Sequence, residues 1–205
     1  MYHAKHNFAH WPIADEIYND IDYRGGVDLS WWKNHPNPNS FFVYDLKQDF
    51  MGGYDHGSET GTVHIADHNV VKGAKLWEWG SGKTGAIWDK ALSDTDGAYA
   101  ELMVGAYSDN QPDYSWIKPY ELKSFKQYWY PIKNTGGFKS ANLNGAVNLT
   151  IENDKAKLAY YATSQIDRAK MVLTNKGKVI FEKEVMLSPK KTFATEVRVD
   201  KGTLD

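Results

Sequence analysis

The sequence predicts an all-β protein, on three observations. No segment carries apolar residues at a sustained helical period of 3.6. Short runs of aromatic and β-branched residues recur between glycines. Beyond Gly137 the chain alternates apolar and polar residues between turn signals.

In chain order, residues 1–39 are rich in Asn, Asp, Pro and Gly. Asp15-Glu16-Ile17-Tyr18 allows one helical turn at most, and Asn34-His35-Pro36-Asn37-Pro38-Asn39 is a loop because each proline restrains itself and its predecessor. Phe41-Phe42-Val43-Tyr44 predicts a strand, and Gly52-Gly53 is expected to break it. Thr62 to Ala66, Lys75 to Trp79, Tyr99 to Val104 and Ser124 to Tyr130 predict four more. After Gly137, Val147, Leu149 and Ile151 face one way, followed by Met171 and Leu173, Val179 and Phe181, then Phe193, Thr195, Val197 and Val199. The turns are Glu152-Asn153-Asp154, Asn175-Lys176-Gly177 and Ser188-Pro189. This part predicts a small antiparallel sandwich-like module with one face buried and a Lys-rich face in water.

The bulk numbers narrow the function classes. The 205 residues carry a net charge of -2, which points to neither nucleic acid nor an anionic membrane. No apolar run is long enough to span a bilayer. The absence of cysteine excludes disulfides and thiolate metal sites. Both ends read as cuts in a longer protein, with a periplasmic or secreted setting favoured over a cytoplasmic one. All eight Trp and all seven His precede Gly137. Residues 1–137 hold 12 basic and 18 acidic side chains, and residues 138–205 hold 12 basic and 8 acidic. That break at Gly136-Gly137 predicts two domains, 1–137 and 138–205.

Four features could carry chemistry. On the Tyr99–Tyr107 strand, Ala98, Ala100, Leu102, Val104 and Ala106 form an apolar face, and Tyr99, Glu101, Met103 and Tyr107 form the other. Glu101 must then be paired, hydrogen-bonded or wet; a wet aromatic groove would make it a candidate general base, and an ion pair or a sheet face left in solvent is the plainer alternative. Asp55 and His56 follow two glycines on a turn, where an Asx turn is the plainer reading. Trp77, Trp79, Trp88, Trp116, Tyr128 and Trp129 supply ring faces suited to sugar C–H faces, with about half of them expected in the core. Asn110, Gln111 and Asp113 lie on a polar loop after the Glu101 strand. The histidines, His64 and His68 included, do not show metal spacing, so no metal or other cofactor is expected. Gly80-Ser81-Gly82-Lys83-Thr84-Gly85 lacks the first glycine of a phosphate loop, and no helix is expected after it.

Gly52-Gly53-Tyr54-Asp55-His56-Gly57, the segment from Gly73 to Gly80, that from Leu92 to Leu102, Asn110 to Trp116 and Tyr128-Trp129-Tyr130-Pro131 together resemble an uncharacterised bacterial domain family. The family is often found ahead of tetratricopeptide repeats and is grouped with the galactose-mutarotase-like superfamily. The resemblance spans roughly residues 22 to 135. It implies part of a β-supersandwich that binds pyranosides on an open sheet face. It makes Glu101, followed by Gln111-Pro112-Asp113, the catalytic base candidate, and Asp55-His56 a pair touching sugar hydroxyls. Asn39-Ser40-Phe41-Phe42 stands where that superfamily carries its acid histidine, and His35 is off-register. The expectation is a carbohydrate-binding domain of a larger bacterial protein. The alternatives are a sugar epimerase or hydrolase, and a structural module beside repeats.

Overall fold

The computed structural model of the chain describes residues 2–3, 17–18, 21–43, 46–94, 96–108 and 114–199. The fold is all-β and sandwich-like, with one α-helix among the described residues. The strands are β1 (Tyr2–His3), β2 (Ile17–Tyr18), β3 (Ile21–Asp22), β4 (Asn39–Phe42), β5 (Phe50–Asp55), β6 (Thr60–Ala66), β7 (Lys75–Glu78), β8 (Ala100–Met103) and β9 (Gln127–Lys133). They continue with β10 (Ser140–Asn142), β11 (Gly145–Glu152), β12 (Lys155–Ala162), β13 (Ile166–Asn175), β14 (Lys178–Leu187) and β15 (Phe193–Arg198). The helix α1 is Lys83–Leu92.

Two antiparallel sheets flank a central one. The central sheet runs β1-β5-β6-β9, with β4-β7-β8 on one side and β10-β11-β12-β15 on the other. The alternation of β5 explains the stack. Phe50 and Tyr54 enter a cluster with Val63, Ile65, Ile132 and Phe138, completed by Ala146 and Tyr161 from beyond Gly137. Met51, between them in sequence, points into a second cluster with Phe41, Val43, Ala74 and Leu76. A strand covered on both faces reads as a continuous buried run, and β5 is buried from Phe50 through Tyr54.

Several expectations need correction. Gly52 and Gly53 do not end a strand; they lie inside β5. A Cβ at Gly52 would overlap the Thr62 carbonyl and sit 2.9 Å from Phe138 Cζ, so the glycine admits the neighbouring layer. Ile17-Tyr18 is extended and pairs with Ile21-Asp22 rather than forming a helical turn. The aromatic strand runs Gln127–Lys133, three residues later than expected, through Pro131. A helix does follow the Gly80–Gly85 run. Its glycines serve packing: a Cβ at Gly82 would overlap the Pro36 carbonyl, and one at Gly80 would lie 2.7 Å from the Asn37 backbone.

The Glu152–Lys155 hairpin turns through Asn153 and Asp154, both at positive φ, and Lys176-Gly177 does the same between β13 and β14. In β11, however, Ala146 and Asn148 are the buried residues after Gly145, and Ile151 is 48% exposed. The face opposite to the expected one enters the shared core, because the central sheet supplies the apolar surface that covers it. The apolar face expected on β8 does pack inward, with Ala100, Leu102 and Val104 against the Met51 cluster.

Candidate functional site

Three strand ends meet at one pocket: the start of β4, the end of β7 and the start of β8. The register Ser40↔Trp77↔Glu101 puts these three side chains on one sheet face, and Asn39↔Glu78 on the other. At the strand ends both faces contribute. A cavity of about 280 Å³ is lined by Pro38, Asn39, Ser40, Trp77, Glu78, Trp79, Tyr99 and Glu101, near the size of a single sugar ring and just under the usual range for small-molecule sites.

Each wall has a local cause. Trp79 stacks on Trp88 of α1, ring centroids 4.4 Å apart and 15° from parallel. Asp89, one residue on, accepts the Tyr99 amide at 2.8 Å, tying the helix to the start of β8. The Tyr99 hydroxyl donates to Glu101 Oε1 at 3.2 Å. Glu101 is half-buried, and among the described residues no Lys or Arg pairs with it.

Behind the pocket lies a buried dyad. His35 and Glu78 have no exposed side-chain surface, and His35 Nδ1 stands 2.8 Å from Glu78 Oε1. His35 Nε2 lies 2.8 Å from the Leu29 carbonyl, which can only accept, so Nε2 carries a proton. Burial pushes the Glu78 carboxyl up, opposed by His35; the Gly80 amide adds weak relief. Alignment of the Nδ1–Oε1 contact falls short of a good hydrogen bond; the 2.8 Å separation nonetheless places the two groups in direct contact. Asn39 Nδ2, Trp77 Nε1 and Glu78 Oε2 are likewise buried without an aligned partner. Buried polar atoms are almost always satisfied, and these three belong to residues lining a single cavity.

The other sequence-derived residues disperse. Asp55 forms the Asx turn, accepting from the Gly57 amide at 2.8 Å and the Ser58 hydroxyl at 2.9 Å. Asp55 lines a cleft of about 840 Å³ between the central sheet and β8, with Trp129, Asp96 and Leu102. His56 lines a third cavity, stacked on Trp31 at 5.8 Å and edge-on to Tyr54 at 4.8 Å. The three catalytic candidates Glu101, Asp55 and His56 therefore line three different cavities. Trp116 is 83% exposed on an irregular segment, and Trp129 packs on His64 at 4.7 Å. Asn110, Gln111 and Asp113 lie outside the described residues. Among the described residues no Trp is fully buried, and none of this aromatic set enters either core cluster, against the expectation that about half would be core; a side chain as large as indole is rarely enclosed completely. Sequence reasoning passed over Glu78, Asn39 and His35 as site residues.

His68 turns to Asp49, Nδ1 to Oδ1 at 2.7 Å, and Asp67 joins them within 4.8 Å. The same Asp49 oxygen also accepts the His68 amide, and Asp67 accepts Asn69.

Burial lowers the pKa of His64, which is 3% exposed, with Gln127 opposing. The fold thus favours its neutral form. The stability it contributes is full above the ordinary imidazole value of 6.5 and is lost as pH falls through the lower folded value. His56, held down to about 4 by burial, acts in the same direction. Urea unfolding is expected to give a lower midpoint at about pH 5 than at about pH 7. His64→Gln should flatten that difference, and an unchanged pH slope would remove His64 from the account.

Together the layers and the pocket define a β-sandwich protein with an indole-walled, polar-floored pocket at its strand ends. The chain belongs to an uncharacterised family, Domain of unknown function (DUF5107), whose model matches residues 2–132. Residues 140–205 match the model of the second domain of YphG-like protein. No solved structure matches the chain. Among the described residues no helix is long and apolar enough to cross a membrane.

Proposed function

We propose that this chain is a carbohydrate-binding domain of the galactose-mutarotase-like kind, and that the strand-end pocket holds one sugar ring. The observation that carries this reading is the set of unsatisfied buried atoms, Asn39 Nδ2, Trp77 Nε1 and Glu78 Oε2, around a cavity walled by Trp77 and Trp79. Sugar hydroxyls donate and accept at once, so one ring can serve both donors and the carboxylate, while its C–H face lies on indole. Glu101 and Tyr99 at the mouth supply a further acceptor and hydroxyl. Tetratricopeptide repeats as neighbours, and a periplasmic or secreted setting, belong to the same reading.

Tryptophan fluorescence titrated with a glycan panel tests it. A saturable change with at least one sugar is expected, weakened about tenfold or more by Trp77→Phe, which removes the indole N–H and part of the ring face. No saturable change across the panel would remove the reading and leave a structural module.

A second reading, glycoside turnover, is favoured by one observation: two carboxylates, Glu78 and Glu101, line the same cavity, and burial raises the first. Glu101→Gln separates the two readings. It abolishes turnover in a hydrolase and only weakens binding in a lectin-like site.

A further inference from the structure

The cleft between the central sheet and the β10–β15 sheet has a volume of about 820 Å³ and takes no part in the strand-end pocket. Its lining includes Trp31, His56, Thr135, Lys139, Asn148 and Lys157. The junction between the matched segments is fixed here. Asn148 Nδ2 donates to the Thr135 and Gly136 carbonyls, both at 2.9 Å, and the Gly136 amide donates to the Tyr54 hydroxyl at 3.1 Å. Thr135 and Gly136 are therefore held on both sides, and Thr135 and Lys139 line the cleft beside them.

Two groups in it remain unmatched among the described residues. Thr135 is 3% exposed and its Oγ1 has no hydrogen-bond partner. Lys139, half-buried, pairs with no acid. It continues β10 on the face of Asn148, since Ser140, its neighbour, stands opposite Val147. The other charges are spent. Lys157 Nζ meets Glu152 at 2.7 Å, Glu196 meets Lys155 at 2.9 Å, and Asp28 Oδ1 accepts both the Ser30 amide and hydroxyl. What the cleft offers a ligand is one unpaired ammonium, one buried hydroxyl and the Trp31 ring, beside the engaged carboxylates of Asp28, Glu152 and Glu196.

We propose that this cleft is a second ligand site, for a sugar ring bearing a carboxylate, of the uronic-acid class. The carboxylate meets Lys139, a ring hydroxyl meets Thr135 Oγ1, and the ring face lies against the Trp31 indole. A neutral sugar leaves the ammonium desolvated without a counter-charge, which costs binding. A bare carboxylate forgoes the hydroxyl and the apolar wall. The site stands independently of the strand-end reading, since it shares no lining residue with it.

The test is an amide-detected NMR titration of the whole chain with D-glucuronate, D-glucose and acetate in parallel. Glucuronate should shift the amides of residues 135–139, 148 and 157 saturably, and the other two should leave them in place. Lys139→Gln should weaken the glucuronate response about tenfold or more, and Thr135→Val several-fold, with thermal melts checking that each variant folds. Three results overturn the proposal: glucose or acetate shifting these amides equally, Lys139→Gln binding as the parent does, or glucuronate moving only the amides of residues 77–79 and 99–101. The last of these leaves the strand-end pocket as a sugar site.

Discussion

Gly52→Ala is expected to lower the unfolding free energy by about 3 kcal/mol, at the upper end of overpacking effects. The added methyl would overlap the Thr62 carbonyl of the adjacent strand and press on Phe138 Cζ, 2.9 Å away. Something must yield, and either neighbour does so at a cost. The phenyl ring belongs to the cluster that joins the central sheet to the β10–β15 sheet, so relief there opens the core. The carbonyl belongs to the β5–β6 ladder, where Gly52 faces Val63 and Gly53 faces Thr62, so relief there breaks backbone pairing. Gly105→Ala is the control: its Cβ meets nothing within 4 Å, and it should stay within about 0.5 kcal/mol of the parent. Thermal melts read both, with a fall of roughly 6–12 °C for the first. Equal melting of the two variants would mean that the layers do not approach at Gly52 as described.

Glu78→Ala is expected to cost on the order of 3 kcal/mol, the range for removing one partner of a buried pair. It strips His35 Nδ1 of its Glu78 contact while the ring stays buried, and the Leu29 carbonyl keeps Nε2 fixed. Glu78→Gln should cost much less, because a glutamine amide can donate to Nδ1 of a neutral imidazole in the same tautomer. The two variants together test whether Nδ1 needs a hydrogen-bond donor or a carboxylate opposite it. If Gln is as harmful as Ala, the dyad is a charged pair that needs the full carboxylate. Imidazole nitrogen NMR supplies the independent reading: His35 should keep its Nε2 proton in the parent and in Glu78→Gln. Because Glu78 lines the strand-end pocket, Glu78→Gln should also weaken any sugar response there, whereas Glu101→Gln should act on that response without loss of stability.

Much of the local structure was legible because it depends on short-range rules. Asn153-Asp154 and Lys176-Gly177 turn where the residues tolerate positive φ. The Ala100, Leu102, Val104 stripe packs inward because a strand alternates. Glu101 was identifiable for the same reason: a carboxylate opposite an apolar stripe must be paired or wet. Glu78 obeyed that rule too, on the buried side. It alternates with Leu76, a core residue, and that position is the signal that could have found it. His35 carried no such signal, since a proline-rich loop does not announce which of its side chains a distant strand will bury.

The sequence by itself determined the strand-rich character, the hairpin turns, the inward stripe of β8 and the presence of a carboxylate among aromatics, because period, turn chemistry and burial cost act within a few residues. Only the tertiary structure decided that β5 is covered on both faces, that its glycines are points of close approach, and that Glu101, Asp55 and His56 face separate cavities. It also decided that His35 meets Glu78. These follow from which layers stack and at what register. A register shift of one residue turns a side chain to the opposite face of its sheet without altering the local pattern that sequence reasoning reads.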